Sequence, residues 1–274
     1  MNNVKIADFE VGPGNPLLLL AGPCVLEGYE RSLYIGKRTK EIADRLGIPY
    51  VFKASFDKAN RSSYKGFRGP GLKEGLAILK KIKEELNVPV ISDVHTEEQV
   101  GPAAKVLDVI QIPAFLCRQT DLLYAAAKTG KTVNVKKGQF MAPGDMKNVI
   151  DKIKSAGNER IMLTERGVSF GYNNLVVDMR AFPIMRSFGY PVIFDATHSV
   201  QLPGAGGTCS AGNSEYVEYL TRAAVGAGVD GLFMEVHDNP KEALSDGPNM
   251  VRLDDLAGIL EDALAIHEIT KKHF

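Results

Sequence analysis

The chain has 274 residues, 45% of them hydrophobic, and its 33 Lys+Arg balance 33 Asp+Glu to a formal net charge of zero. No global field favours nucleic acid or an anionic membrane, and three cysteines, an odd number without regular spacing, argue against a disulfide framework and suit a reducing cytosol. The length fits one (β/α)8 TIM barrel, α/β in class, as a single catalytic domain over 1–274. No linker, low-complexity tract or charge block marks a boundary.

The opening MNNVKIADFEVG has no basic region leading into an apolar one, so it does not read as a secretion signal but as a short N-terminal extension. The longest apolar run, 17–21, is far too short to span a bilayer. Strands are then expected at PLLLLAGPC (16–24), PYVFKAS (49–55), VPVISDVH (88–95), DVIQIPAF (108–115), TVNVKKGQ (132–139), RIMLTERG (160–167), PVIFDATH (191–198) and DGLFMEVH (230–237). Several are nearly continuous apolar runs, as strands buried on both faces should be. Helical period or composition occupies 72–86, 121–130, 144–157, 213–228 and 253–274. Strands alternating with helices predict a parallel sheet, and eight such units close into a barrel. An open doubly wound sheet is the alternative.

Every expected strand ends in polar or reactive groups: Cys24; Lys53 and Ser55; Asp93 and His95; Gln111; Lys136 and Lys137; Glu165 and Arg166; Asp195 and His198; Glu235 and His237. A parallel barrel opens all these ends onto one face, where such enzymes keep their active sites. The stretch FKASFDKANRSSYKGFRGPG (52–71) adds Lys58, Arg61, Lys65 and Arg68 with only one acid, Asp57. Cations gathered on one rim repel unless an anion neutralises them. Arg forks and interleaved Ser and Asn donors suit phosphate or carboxylate oxygens. Two anionic groups or two substrates are therefore expected. Lys65 and Arg68 read equally well as solvated loop. No GxxxxGK[ST] is present, and Gly204-Ala205-Gly206-Gly207 reads as a flexible loop fit to be a lid.

In a closed barrel the eighth strand pairs with the first, so Cys24, His198 and Glu235 become neighbours, and Asp246 in SDGPNM can fold over them. Thiolate, imidazole and two carboxylates make a divalent site suited to Zn, Fe(II) or Mn. Cys117 and Cys209 lack such company and read as small buried hydrophobes. His95 and His237 receive no ligand role.

GPCVLE (22–27), FKASFDKANRSS (52–63), GPGL (69–72), QIPAFLCRQTDLL (111–123), VNVKKGQF (133–140), ERGVSFGYNNLVVDM (165–179), DATHSVQLPG (195–204) and FMEVHDNP (233–240) together resemble the 3-deoxy-D-manno-octulosonate 8-phosphate synthase family. The resemblance runs through nearly the whole chain, in order. It implies a homotetrameric (β/α)8 barrel that condenses phosphoenolpyruvate with D-arabinose 5-phosphate and water, releasing phosphate, in the lipopolysaccharide pathway of the cytoplasm. It implies that Lys53, Lys136 and Arg166 hold phosphoenolpyruvate, with Gln139 and Ser55 nearby. Lys58 and Asn60 would meet the pentose phosphate, and Arg61 and Ser62 would clamp its phosphate across a subunit interface. Asp93 and Gln111 match further site positions. Lys53, Lys58, Asp93, Lys136, Arg166 and His198 are thus the candidate catalytic groups, and Cys24, His198, Glu235 and Asp246 the candidate metal ligands. Cys24 resembles the metal-dependent form, although Gly247-Pro248 looks more like the metal-free one. Rival readings are the related synthase using erythrose 4-phosphate, a sialic-acid-type synthase, a metal-dependent aldolase and a non-catalytic sugar-phosphate sensor.

Overall fold

A computed structural model of the chain describes residues 2–205 and 211–273. The chain opens with two short antiparallel strands, β1 (Val4–Ile6) and β2 (Phe9–Val11). The first six expected strands follow as β3 (Leu18–Gly22), β4 (Tyr50–Lys53), β5 (Val90–Asp93), β6 (Val109–Ile112), β7 (Thr132–Lys136) and β8 (Ile161–Glu165). A small hairpin, β9 (Val168–Ser169) and β10 (Leu175–Val176), precedes β11 (Val192–Asp195) and β12 (Gly231–His237), and β13 (Val251–Arg252) extends the edge of β12. The parallel order runs β3 to β8, then β11 and β12, and β12 pairs with both β11 and β3. The sheet is therefore closed, and the open-sheet alternative falls.

Helices α1 (Tyr29–Leu46), α2 (Leu72–Leu86), α3 (Glu97–Ala104), α4 (Thr120–Lys128), α5 (Met146–Ser155), α6 (Ala181–Arg186), α7 (Val217–Gly226) and α8 (Leu256–Thr270) surround it. Each turns one apolar stripe to the barrel; in α2 that stripe is Leu76, Leu79, Ile82 and Leu86. None is long and apolar enough to cross a membrane among the described residues.

Alternation along each strand separates two cores. Outward side chains such as Leu19, Phe52, Ile110, Val133, Leu163 and Phe194 pack beneath the helices. Inward ones, Leu18, Leu20, Val51, Ile91, Val109, Met162, Ile193 and Phe233, fill the lower lumen, where Val4, Ile6 and Val11 join them. The N-terminal extension is thus a plug for the bottom of the barrel. Above this apolar floor the inward positions turn polar while staying buried: Lys53, Asp93, Gln111, Asn134, Lys136, Thr164, Asp195 and Glu235. Gly22 lets the first two barrel strands meet there, because a Cβ at this position would lie 2.2 Å from the Lys53 carbonyl oxygen.

The expected lid lies largely outside the described residues, as does Cys209. Its base is closed by Leu202 N–H donating to the Ala211 carbonyl and Asn213 N–H donating to that of Val200.

Candidate active site

A cavity of about 670 Å³ opens at the C-terminal ends of the strands. Lys53, Lys58, Asn60, Arg61, Ser62, Asp93, Lys136, Gln139, Arg166, His198 and Asp246 all line it. Ser55, Gln111 and Glu235 stand behind that wall, fully buried. Lys65 and Arg68 do not join. Arg68 forks onto Asp57 in solvent and Lys65 lies over the Tyr64 ring. The Arg68 carbonyl still matters, since it accepts the Lys58 N–H at 2.7 Å and folds the loop so that Lys58 points inward.

The cations are not left to repel one another. Lys53 Nζ donates to Glu235 Oε1 at 2.6 Å and to the Cys24 carbonyl at 3.0 Å, while Lys136 Nζ donates to Asp195 Oδ2 at 2.6 Å. Lys58 Nζ lies 3.5 Å from the same Glu235 oxygen. Acids from other strand ends thus supply much of the neutralisation assigned to an incoming anion on sequence grounds. Such pairs offset heavy desolvation only because both partners are present; removing one leaves a buried charge, which costs several kcal/mol. Phe233 supplies the floor, with Lys136 Nζ 3.6 Å and Lys53 Nζ 5.1 Å from its ring centre.

Burial pushes the Asp93 and Glu235 carboxyls up, yet the surrounding cations win. Asp93 is held well below the usual range by Lys53, Lys58 and Lys136. Glu235 is held down by His198, Lys53 and Lys58. Asp195 follows the same pattern, with His198 and Lys136 responsible. Burial also opposes charge on Lys58, but the acidic groups around it, Cys24, Glu235 and Asp246 foremost, raise it well above its ordinary value. Lys136 and Arg166 are lowered by burial, against the pull of Asp195 in each case.

Arg166 makes the clearest demand for a ligand. Its Nη2 donates to Gln201 Oε1 at 2.7 Å and to the His198 carbonyl at 3.3 Å, but Nη1 is buried with no partner among the described residues. Gln139 Oε1 is also buried and, among the described residues, without a partner. A buried guanidinium nitrogen without an acceptor is costly, and Arg166 is among the residues that line the cavity, where a guanidinium suits an anion.

Cys24 Sγ, Glu235 and Asp246 place ligand atoms within 4.8 Å of one another. His198 stands outside that group and touches only its edge, with Nε2 3.5 Å from Glu235 Oε1. Three of the four expected ligands therefore converge directly. His198 is held back by Asp195, whose Oδ1 accepts the His198 N–H at 2.9 Å and whose Oδ2 lies 2.8 Å from Nδ1. An ionised Asp195 favours a proton on Nδ1 and fixes the ring so that Nε2 faces Glu235. The donor set fits a divalent ion. Burial pushes the Cys24 thiol well up, Glu235 and Asp246 add to this, and Sγ donates to Asp246 Oδ2 at 3.2 Å, so a cation there would relieve three crowded donors. Asp246 keeps its place through a left-handed backbone (φ 52°) that aspartate tolerates, and through the Gln201 amide, which donates to Oδ1 at 3.1 Å.

Within the chain, Arg61 crosses to the loop after β12: Nη1 donates to Ser245 Oγ at 2.7 Å, beside Asp246. Sequence reading also missed Gln201, which joins Arg166 to Asp246, and the partner role of Asp195; the Asp-x-x-His spacing was the one available signal for the latter.

A closed parallel barrel with anion-seeking cations, a thiol and carboxylates at its C-terminal mouth places the chain among (β/α)8 proteins with a site at that face. The chain belongs to the DAHP synthetase I family, whose model matches residues 2–272. A protein of Geobacter sp. (strain M21) named 2-dehydro-3-deoxyphosphooctonate aldolase is 65% identical over 269 residues, 98% of each chain. Proteins of the same name from Citrifermentans bemidjiense and Geotalea uraniireducens are 64% identical over 98% of each chain and 60% identical over 99% of this chain and 100% of the other.

Proposed function

We propose that the chain is a 3-deoxy-D-manno-octulosonate 8-phosphate synthase: it condenses phosphoenolpyruvate with D-arabinose 5-phosphate and water, and releases phosphate. The single observation that carries this reading is that Lys53, Lys58, Arg61, Lys136 and Arg166 all line one cavity of about 670 Å³, wide enough for two anionic substrates. The shared name of the 60–65% identical relatives supports the choice of product. The family description names DAHP synthetase, which keeps the four-carbon sugar phosphate as the second reading.

In this account Lys53, Lys136 and Arg166, with Gln139 and Ser55, hold the phosphate and carboxylate of phosphoenolpyruvate over the Phe233 floor. Lys58, Asn60, Arg61 and Ser62 hold the sugar phosphate nearer the mouth. Carbon 3 of the enol phosphate attacks the sugar aldehyde while water adds at carbon 2. The carbon–oxygen bond to phosphate then breaks. Fixing three reactants in one geometry is the protein's main contribution. Cys24, His198, Glu235 and Asp246 would hold a divalent ion, Zn, Fe(II) or Mn by donor type, whose chemistry is to polarise an oxygen and stabilise developing charge. The whole chain acts as one catalytic domain. It works in the cytoplasm, and assembles as a homotetramer in which Arg61 and Ser62 reach a neighbouring site.

Calorimetric titration with phosphoenolpyruvate tests the anion site. The parent protein should bind it, and Arg166→Ala should weaken binding by roughly tenfold or more, the worth of a charge-assisted contact. Equal affinity in both would remove Arg166 from the site.

A further inference from the structure

Five buried polar side chains form a single hydrogen-bonded belt across five consecutive strands and their ends. Thr164 Oγ1 donates to Asn134 Oδ1 at 2.8 Å, Asn134 Nδ2 donates to Gln111 Oε1 at 2.9 Å, and Gln111 Nε2 donates to Asp93 Oδ1 at 2.7 Å. From the other side Ser55 Oγ donates to Asp93 Oδ2 at 2.6 Å. Thr164, Asn134, Gln111 and Ser55 are 0% exposed, and only Asp93, at 8%, reaches the cavity. Asp93, Gln111 and Asn134 are register partners across β5, β6 and β7, so the sheet itself sets their spacing.

The belt has one polarity. A hydroxyl carries one proton, and an amide has one accepting and one donating end. Turning the Gln111 amide over would set its carbonyl against the Asp93 carboxylate and its NH2 against that of Asn134. The ionised Asp93 accepts only, so it fixes the Gln111 amide, Gln111 fixes Asn134, and Thr164, whose hydroxyl could donate or accept, closes the belt as the donor that Asn134 Oδ1 needs. The result is an Asp93 with one belt donor on each oxygen, standing at the wall of the cavity. Among cations gathered for anions, such a carboxylate is out of place as a phosphate contact. It suits the hydroxyl protons of a sugar.

We propose that Thr164 and Asn134 are positioning residues which, through Gln111, hold Asp93 as an acceptor for the hydroxylated part of the sugar phosphate. This rests on the synthase reading above. A merely structural belt would equally satisfy buried groups, but it would have no preference between the two substrates.

The test is steady-state kinetics on the parent, Thr164→Val, Thr164→Ser, Asp93→Asn and the double variant Thr164→Val/Asp93→Asn, with melting temperatures alongside. Thr164→Val keeps the shape and removes the proton. It should lower kcat/KM for arabinose 5-phosphate by about tenfold, as expected when a buried acceptor loses its donor, while KM for phosphoenolpyruvate stays within about twofold. Thr164→Ser should restore most of the loss. In the Asp93→Asn background Thr164→Val should do little more, because both changes act through one group. Parent turnover with the pentose together with an unaltered Thr164→Val, equal losses for both substrates, or additive effects in the double variant would each overturn the proposal alone. A parent that turns over only the four-carbon sugar, or neither, would overturn the synthase reading and this proposal with it. If Thr164→Val does not fold, Asn134→Asp, which removes the donor to Gln111, is read by the same substrate split.

Discussion

Two residues test the two halves of the proposed chemistry most directly. Arg61 spans from the basic loop to Ser245, beside Asp246. Arg61→Ala should raise KM for arabinose 5-phosphate by roughly tenfold, the worth of a charge-assisted bond, and barely move KM for phosphoenolpyruvate; equal shifts would contradict its assignment. Cys24 is fully buried against Asp246 and Glu235. Cys24→Asn should reduce the divalent metal retained by purified protein, read by elemental analysis, while the melting temperature changes little. Loss of the fold would count against a ligand role. At this scale the sequence spoke clearly where a reactive group ended an apolar run, as with Lys53 after Tyr50-Val51-Phe52. It was silent on who pairs with whom. Lys53 meets Glu235 182 positions away, and Lys136 meets Asp195 59 positions away. Barrel closure makes those pairs, and no local pattern announces them.

At the scale of elements, the connection into β12 holds a titration with a defined sign. Asp230 accepts the Val192 N–H at 2.8 Å, pairs with Arg186 at 3.1 Å, and is pushed up to about 6 by burial, which outweighs both. An unfolded aspartate titrates near about 3.9. The stabilising contribution of this group is therefore full below about pH 4 and is lost as pH rises through about 6, because the folded chain keeps a proton that the unfolded chain has released. Asp230→Asn should flatten the fall in melting temperature over that window; an unchanged slope would place the titration elsewhere. Asp93, Asp195 and Glu235 act in the opposite sense. Their depressed values stabilise the fold above the ordinary carboxylate range, and this is lost as pH falls below it. The eight barrel strands were legible as apolar runs with turn residues at each end. The hairpin of β1 and β2 was not, because three residues per strand are too few to show alternation.

For the whole molecule the notable feature is polarity along the barrel axis. Apolar side chains and the hairpin seal the bottom, and charged pairs over Phe233 support the top. Stability and chemistry are thereby kept at opposite ends. Ile6→Ala, which hollows the plug at a residue 1% exposed, should cost about 2–4 kcal/mol in denaturant unfolding. The kcat of the folded fraction should be unaffected. A lowered kcat at unchanged stability would show the ends to be coupled. The family resemblance was readable because its motifs fall at the strand ends, where eight loops share one mouth. The proposed tetramer rests on that resemblance.

The most direct test of the central claim is phosphate release from phosphoenolpyruvate, with arabinose 5-phosphate or erythrose 4-phosphate, each with and without chelator. The account predicts release with the pentose phosphate alone, suppressed by chelation and restored by added divalent ion. Release with the four-carbon sugar only, or none with either sugar in metal-replete protein, would contradict it.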